Sequence, residues 1–338
     1  MTQVAVVILN YNGRNFLKQF LPSVIAHSPG AKIVVADNGS TDDSLAVLEN
    51  DFQHTVTVIR LSDNLGFCGG YNAALKQVDA EIFVLLNSDV EVTPGWIEPV
   101  IGLMKNDLTI AAAQPKILSY QDKNWFEYAG AAGGFIDLLG YPFCRGRLFT
   151  TREQDHGQYN DTRPVFWATG ACLFIRSKAY VDCGGLDEDF FAHMEEIDLC
   201  WQLQRKGLRV FYVGTSTVYH VGGGTLSASN PRKTFLNFRN GLTLLVKHTP
   251  GLKLMWALPL RVMLDWLAGL KFLSSGSASD CMAVFKAHVN FLQTFSSTLK
   301  KRNALKTKMG FSVGMQYLGL LPFDYFVLGN KSFRNLGL

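Results

Sequence analysis

Cysteine is scarce in this sequence, and its spacing gives no sign of pairing. Six cysteines are spread over 338 residues, which indicates reduced thiols and excludes a cysteine-based zinc site. A signal peptide is also missing, because Thr2 and Gln3 lead directly into an apolar strand. We therefore expect a cytoplasmic protein.

Acidic residues are nearly missing from the last third of the chain. Residues 232–338 carry 15 Lys and Arg but only three Asp and Glu, whereas residues 1–231 carry 17 against 25. A hydrophobic content of 48% with 18% charged residues excludes a disordered chain, and the length suits one large domain with an appendage, or two domains. Nucleic acid would suit the basic tail, but no recognisable nucleic-acid module accompanies it, so we do not expect that partner.

A glycine fingerprint for dinucleotides is missing as well. The first apolar run is followed by Asn10-Tyr11-Asn12-Gly13 instead of Gly-x-Gly-x-x-Gly, which argues against a dinucleotide oxidoreductase. The glycine-rich segment at residues 64–72, which includes Gly66, follows the third predicted strand and could still present N–H groups to phosphates. The sequence shows no Ser-His-Asp constellation of the kind that would suggest nucleophilic catalysis.

The first half of the chain alternates strand and helix patterns. Predicted strands at residues 4–9, 33–36, 56–61 and 82–86 are separated by helical patterns, and this spacing predicts a parallel sheet covered by helices. Ligands of such sheets bind beyond the carboxyl ends of the strands. The polar strand tips are Asn10-Tyr11-Asn12, Asp37-Asn38 and Asn87-Ser88-Asp89. Residues 119–165 are irregular, and we predict either a mobile flap beside the site or an ordinary surface insertion.

A cluster of acids precedes a helical pattern near residue 195. Six acids fall between Asp187 and Asp198. They are typical of a helix start, whose dipole favours negative charge. Glu195, Glu196 and Asp198 also crowd together, and like charges raise the pKa of one another. Because aromatic residues adjoin them, a general base is the alternative interpretation.

Two further residues suggest a metal site. Asp89 ends the fourth predicted strand, where a carboxylate can hold Mg²⁺ or Mn²⁺ through oxygen or can simply form a turn. His220 is followed by glycines that would leave its ring accessible, so it is either structural or a second metal contact.

Six motifs occur in chain order, at residues 7–13, 36–42, 64–67, 86–89, 169–172 and 195–201. Together they resemble family 2 glycosyltransferases, especially the rhamnosyltransferase-like branch. The resemblance covers about residues 3–240 and implies an α/β GT-A fold, with a mostly parallel, Rossmann-like sheet. It also implies inverting transfer from a nucleotide-sugar donor, with a divalent cation.

The resemblance implies a role for each matching residue. Asp37 would contact the nucleoside, Asn72 would lie near the ribose and phosphates, and Trp167 and Gly170 would border the sugar and acceptor pockets. The rest of the nucleotide-sugar site would comprise Asn10, Tyr11, Asn12, Asn38, Gly66, Asn87 and Ser88.

The same resemblance implies the catalytic and metal groups. Asp89 would bind the metal, with Asn87 in place of the first acid of the family motif, and His220 would complete the site. Glu196 would be the base, although a Glu in place of the usual Asp reaches one methylene further. Either the backbone would then be set back, or Glu195 or Asp198 would share the role.

The predicted division places the glycosyltransferase domain at residues 1–240, with a nucleotide-sugar half at about 1–118 and an acceptor half at about 119–240. Residues 241–338 form a helical, basic appendage. Within it, residues 254–273 are apolar but interrupted by three charges, which favours a helix lying on a membrane over one that spans it. A basic cluster at residues 300–308 could meet anionic lipid, and packing on the core or a dimer contact is the alternative.

These features predict an enzyme on the inner face of the cell membrane that glycosylates a saccharide or lipid-linked saccharide. A nucleotidyltransferase, or a non-catalytic partner that binds nucleotide sugars, remains open. The sequence leaves the oligomeric state undetermined.

Overall fold

A mixed β-sheet forms the centre of the molecule. The computed structural model describes residues 3–222, 230–306 and 314–338. The strands within these residues are β1 (Val4–Asn10), β2 (Lys32–Asn38), β3 (Thr57–Leu61), β4 (Ile82–Asn87), β5 (Val90–Val92), β6 (Ile110–Ser119), β7 (Gly134–Ile136), β8 (Pro142–Cys144), β9 (Arg147–Leu148), β10 (Thr151–Arg152), β11 (Thr162–Pro164), β12 (Cys172–Arg176) and β13 (Arg209–His220).

The helices cover the sheet and continue into the C-terminal region. They are α1 (Arg14–His27), α2 (Ser44–Asp51), α3 (Gly66–Leu75), α4 (Glu98–Asn106), α5 (Ser177–Asp182), α6 (Glu195–Arg205), α7 (Pro231–His248), α8 (Gly251–Ser274), α9 (Ala278–Lys306) and α10 (Leu321–Phe326), with short 3₁₀ turns at Glu188–Phe190 and Phe333–Leu336. Among the described residues, no helix combines the length and the apolar character needed to cross a membrane.

The main sheet has the strand order β11-β13-β6-β12-β4-β1-β2-β3, with β5 paired to β13. The strands β4, β1, β2 and β3 are parallel, as predicted, and β12 enters antiparallel between β4 and β6. Strand β1 is apolar throughout because both of its faces are covered: Val6 and Ile8 face one core, and Ala5 and Val7 face the other.

The irregular segment at residues 119–165 is neither a flap nor a surface insertion. Its strands β7 to β10 form a small antiparallel sheet. Phe126, Phe135 and Phe143 are buried within the same core as the main sheet. Burying three aromatic side chains stabilises this segment against opening, so the aromatic richness of the sequence reflects core packing.

The C-terminal region packs against the domain. Asn230 caps α7 and Pro231 occupies its first turn, so this helix runs through the predicted boundary at residue 240. Leu242 and Val246 of α7 share a buried cluster with Phe291 of α9. Farther along, the N–H of Leu321 donates to the buried Asp137 carboxylate at 2.9 Å and holds the last residues on the small sheet.

Candidate active site

The tips of β1 and β2 bring two predicted donor-site residues together. Because these strands are parallel and in register, Asn10 lies beside Asp37. The Asn10 amide donates to Asp37 Oδ1 at 3.1 Å, and the backbone N–H of Ser40 donates to Asp37 Oδ2 at 3.0 Å. Both side chains are buried, and Asn10 Oδ1 has no hydrogen-bond partner. The two side chains therefore form a rigid polar floor at the strand tips, in which Asn10 Oδ1 is a free acceptor.

Next to this floor, the β1–α1 turn forms the wall of a cleft of about 390 Å³. Asn12 has a left-handed φ of 51° and accepts from the N–H of Thr41 at 2.7 Å. Tyr11 is 46% exposed, so its ring is available to a ligand. A Cβ atom on Gly13 would lie 3.6 Å from Ser88 Oγ, which places Ser88 at the same turn.

Asn38 and Asn72 are engaged within the chain. Asn38 Nδ2 donates to the carbonyl of Gly66 at 3.0 Å and thereby holds the glycine-rich turn before α3. Asn72 donates to the Leu186 carbonyl at 2.8 Å and accepts from the Tyr180 hydroxyl at 2.6 Å. Both atoms of its amide are thus used to hold the loop before the acidic helix. This geometry gives Asn72 a structural task instead of the predicted contact with ribose and phosphates.

The tip of β4 faces the end of β13. Asp89 Oδ1 lies 3.1 Å from His220 Nε2, and the Asn87 amide lies 3.4 Å from the same nitrogen. His220 Nδ1 lies 3.5 Å from Glu127 Oε2. All three ionisable side chains are buried, so the His220 ring is less accessible than its neighbouring glycines suggested.

His220 lies between two carboxylates that set its charge. Burial by itself lowers its pKa, but the hydrogen bonds and charges of Asp89 and Glu127 outweigh that effect and raise the pKa to about 10. Burial raises the pKa of Glu127, and its bonds to His220 and to the N–H groups of residues 128 and 129 lower it below the ordinary value on balance. Glu127 was missed by sequence reasoning because it belongs to no motif and lies in the irregular segment.

The donors at this point suit a hard cation with few protein ligands. Within the described ranges, no group of three or more His, Cys, Asp or Glu side chains is arranged to hold a metal ion. Asp89 Oδ1 and His220 Nε2, at 3.1 Å, have about the separation of two adjacent ligands on one Mg²⁺-sized cation. Such ions commonly use one or two side chains and take their other ligands from water and substrate phosphates. The Asp89 carboxylate therefore fits that kind of cation, and His220 can join it only after Nε2 has lost its proton.

The acidic helix α6 begins after a strained loop. Phe191, His193 and Met194 have φ values of 63°, 67° and 76°, a conformation that non-glycine residues seldom adopt. Glu195 and Glu196 follow in the first turn. Each has an Oε2 atom that is shielded from solvent and has no hydrogen-bond partner. Unpaired acceptors of this kind cluster at functional sites.

The two glutamates resist ionisation. Burial raises the pKa of Glu196 to about 7, although the N–H groups of Glu196, Ile197, Gly170 and Met194 oppose it. Burial and the neighbouring charge of Glu196 raise the pKa of Glu195 well above its ordinary range. The predicted effect of a like charge is therefore present at Glu195, and burial is the larger cause at both residues.

Asp198 has a different environment from the two glutamates. Its carboxylate lies 2.7 Å from His248 Nε2 and 2.8 Å from Lys247 Nζ, and Gln202 Nε2 donates to it at 2.8 Å. Burial alone would raise its pKa, but Lys247 and His248 hold the pKa well below the usual range. Asp198 thus stays ionised as an anchor between α6 and α7, which corrects the prediction that it shares the role of base.

Asn240 and Arg239 of α7 hold the strained loop. The Asn240 amide donates to the carbonyls of Phe190, Ala192 and His193 at 3.1, 2.9 and 2.7 Å. Arg239 donates to the carbonyl of Asp189 at 2.7 Å. Neither residue was predicted, because both lie next to the assumed boundary at residue 240. A polar Asn in the middle of an apolar helical pattern was the available signal.

The two remaining predicted residues, Trp167 and Gly170, lie in different surroundings. Trp167 is only 3% exposed, and its indole N–H donates to the carbonyl of Phe135 at 2.8 Å. It therefore belongs to the core. The family resemblance had instead implied a position bordering an open pocket. Gly170 lies beside the acids, since a Cβ atom there would lie 3.9 Å from Glu196 Cβ and 3.3 Å from the Phe67 ring.

Comparison with solved structures identifies the class of fold. The chain resembles GalNAc-T7, solved with UDP, GalNAc and Mn²⁺, with a TM-score of 0.57 and 17% identity over 73% of this chain and 48% of that one, about half its length. It also resembles the mannosyltransferase PcManGT from Pyrobaculum calidifontis, solved with GDP-Man and Mn²⁺. That TM-score is 0.52, with 13% identity over 91% of this chain and 86% of the other. The fold is the GT-A fold of glycosyltransferases, as predicted.

Sequence comparison identifies the family. The profile of glycosyl transferase family 2 matches residues 5–181, and the chain belongs to this family. A relative from Mycobacterium tuberculosis, an N-acetylglucosaminyl-diphospho-decaprenol L-rhamnosyltransferase, is 29% identical over 240 residues, which cover 65% of this chain and 76% of the relative. The predicted rhamnosyltransferase-like resemblance is thereby confirmed.

Proposed function

We propose that this enzyme transfers a sugar from a nucleotide-diphosphate sugar to a hydroxyl group of a saccharide or lipid-linked saccharide, with inversion at the anomeric carbon. The observation that carries the proposal is the Oε2 atom of Glu196, which is shielded and unpartnered at the start of α6, in a carboxyl group whose pKa is raised to about 7. A general base works best when its pKa lies near the working pH. The mycobacterial relative, whose name includes a diphospho-decaprenol substrate, supports a lipid-linked acceptor in cell-surface polysaccharide synthesis.

Glu196 accepts the proton of the acceptor hydroxyl as that oxygen bonds to the anomeric carbon. The bond from that carbon to the nucleoside diphosphate breaks in the same step, so no covalent sugar–enzyme intermediate forms. Glu195, more strongly protonated, donates a hydrogen bond to the acceptor and keeps a second negative charge away from Glu196. Asn240 keeps the loop in register and so positions both groups.

The donor binds along the carboxyl ends of β1, β2 and β4. Asp37 and Asn10 accept hydrogen bonds from the nucleoside, with Tyr11 and Asn12 forming the wall of its pocket. Asn38 acts through Gly66, whose turn it holds. Asn87 and Ser88 lie toward the diphosphate.

A divalent cation, Mg²⁺ or Mn²⁺, would be held by Asp89 and His220. When bound there, it supplies positive charge that stabilises the departing diphosphate. Glu127 fixes the orientation of the His220 ring from its far side. The Mn²⁺ in both solved neighbours supports the use of a divalent cation.

The enzyme works at the inner face of the cell membrane. A lipid-linked acceptor would require that location, and the basic, apolar C-terminal region supports it.

The function is tested with purified protein, Mn²⁺ and a panel of UDP-, GDP- and dTDP-sugars. We expect one donor to raise the melting temperature and to be slowly hydrolysed, with release of a nucleoside diphosphate. Release of pyrophosphate from a nucleoside triphosphate and a sugar phosphate would instead identify a nucleotidyltransferase. Donor binding without hydrolysis or transfer would identify a non-catalytic partner.

A further inference from the structure

Helix α8 buries the wrong residues for a helix that faces water. Its buried positions recur every four residues and are Ala257, Arg261, Asp265 and Gly269. A surface helix of a soluble protein normally turns an apolar stripe inward and its charged residues outward. Here both charged residues in the middle of the helix point into the protein.

Those charges are anchored by specific partners. Arg261 Nε lies 2.8 Å from Asp265 Oδ1, which also accepts from the Tyr141 hydroxyl at 3.0 Å. Arg261 donates to the carbonyl of Leu139 at 3.1 Å, and His288 Nε2 lies 3.3 Å from Asp265 Oδ2. Buried charges are tolerated only when they are paired and hydrogen-bonded in this way. The network fixes which face of α8 turns outward.

The outward face of α8 is apolar along its length. Its large side chains are between 40% and 87% exposed. They follow the helical period and are Leu252, Met255, Trp256, Met263, Trp266, Leu267, Leu270 and Leu273. Single exposed apolar residues are common, but a continuous stripe this long marks an interaction surface.

The stripe widens onto two neighbouring helices. The Trp266 ring lies 6.1 Å from the Phe285 ring of α9, whose other exposed apolar side chains are Met282, Val289 and Leu292. On the other side, Lys271 Nζ lies 4.4 Å from the ring of Phe326, which is 52% exposed at the end of α10. We call this combined surface of α8, α9 and α10 the outer face.

Among the described residues of α8, α9, α10 and the segment after α10, the exposed charges at the outer face are lysines. Lys271, Lys286 and Lys331 are exposed. The acids of the same three helices are turned away: Asp265 is buried, and the partly buried Asp280 and Asp324 accept hydrogen bonds from Thr234 at 2.6 Å and Tyr317 at 3.0 Å. Lysine stems can lie along an apolar surface while their ammonium groups reach anionic headgroups.

The basic cluster predicted at residues 300–308 provides less exposed positive charge for lipid than expected. Lys301 is paired with Asp187 and Asp189, and the buried Arg302 donates to the carbonyl of Thr249 at 2.6 Å. Lys300 is exposed. Lys308 and the side chain of Lys306 lie outside the described residues. We therefore expect the lipid contact at the outer face and not at this cluster.

We propose that the outer face rests in the interfacial layer of an anionic bilayer, with Trp256 and Trp266 at headgroup depth. This proposal rests on the proposed membrane location and names the surface responsible for it. Anionic lipid suits the face because its exposed charges are all positive. A second copy of the chain would suit it less, since a two-fold contact places the same patch, with its lysines, on both sides.

The test is co-flotation of the full-length protein with vesicles of phosphatidylglycerol and phosphatidylcholine, or of phosphatidylcholine alone. We expect Met263→Glu with Leu267→Glu to weaken binding to anionic vesicles by about tenfold or more, because binding scales with inserted apolar area. Leu108→Glu is the matched control, since Leu108 is 75% exposed but lies outside the outer face. Lys271→Gln with Lys286→Gln should weaken binding to anionic vesicles only.

Three results would overturn the proposal. One is binding of the double-glutamate variant equal to that of the wild type. Another is vesicle binding that depends neither on salt nor on the charge of the lipid. The third is a dimer, seen by light scattering, that this variant dissolves while neither protein floats with vesicles. Thermal stabilisation by the nucleotide-sugar panel, measured on the same preparations, separates the two proposals: vesicle binding without any donor binding would refute sugar transfer and leave the outer face supported.

Discussion

Replacing Glu196 by Gln tests the proposed base and its environment together. Glutamine keeps the shape of the side chain and its contacts with Gly170 but accepts no proton. Loss of a positioned general base costs about 10²–10⁴-fold in rate. We expect kcat for transfer to fall by that factor while the dissociation constant of the donor stays within about twofold, because the proposed role of Glu196 is toward the acceptor hydroxyl and not toward the donor.

The same substitution should stabilise the protein above neutral pH. The pKa of Glu196 rises from 4.5 in an exposed carboxyl to about 7, so the folded state holds a proton that the unfolded chain releases. Stability from this group is full below pH 4.5 and is lost as the pH rises to 7. At pH 8 the loss corresponds to about 3 kcal/mol, which the neutral amide avoids. A variant that is slower but more stable is the signature of a functional group kept at a structural cost.

The assay measures transfer rates and melting temperatures of wild type, Glu196→Gln and Glu195→Gln between pH 5 and pH 9. The wild-type rate should fall below pH 7 as Glu196 gains its proton. The Glu195→Gln variant should lose less activity, by a weaker acceptor interaction. If Glu195→Gln is the inactive enzyme and Glu196→Gln is nearly normal, the base is Glu195. If both retain full activity, the acids are only a helix start and neither glutamate is the base.

Three further predictions concern the residues around these acids. Asn240→Leu removes three hydrogen bonds from the strained loop; kcat should fall about tenfold or more with donor affinity unchanged, as seen in steady-state kinetics and calorimetry. Asp89→Asn should abolish most of the stimulation by Mn²⁺ in a metal titration while the circular dichroism spectrum stays native. Asp198→Asn should destabilise the protein by about 3 kcal/mol in urea unfolding, because the buried Lys247 loses a partner, but folded protein should keep much of its activity, unlike Glu196→Gln.

The donor side of the site could be predicted because it follows from local sequence. Apolar runs define the parallel strands, strand register aligns their ends, and polar residues directly after them must meet at one edge. Asn10 and Asp37 are in contact for this reason alone. The crowding of Glu195 and Glu196 was also visible, since both lie in one helical turn.

Contacts between distant segments left no local signal. Glu127 reaches His220 across 93 positions of sequence, and nothing near Glu127 indicates that it approaches the β4 tip. Trp167 was assigned to a pocket because of the family resemblance, but tight packing against Gly134 holds it in the core. The resemblance placed Asn72 near the ribose and phosphates, yet its amide donates to the carbonyl of Leu186, in a loop more than a hundred residues later.

The C-terminal region cannot be removed as an independent appendage. On α9, the first half contributes Phe285 and Leu292 to the outer face, and the last turns place Lys301 against the carboxylates of Asp187 and Asp189. Deleting residues 251–338 would expose Leu242 and Val246 and would leave Asp187 without one of its two lysines. Packing on the core and the proposed contact with lipid are therefore compatible: Lys301 of α9 pairs with the loop before α6, and the outer face points elsewhere. Substitutions on the outer face, and not truncation, are the way to separate membrane binding from catalysis.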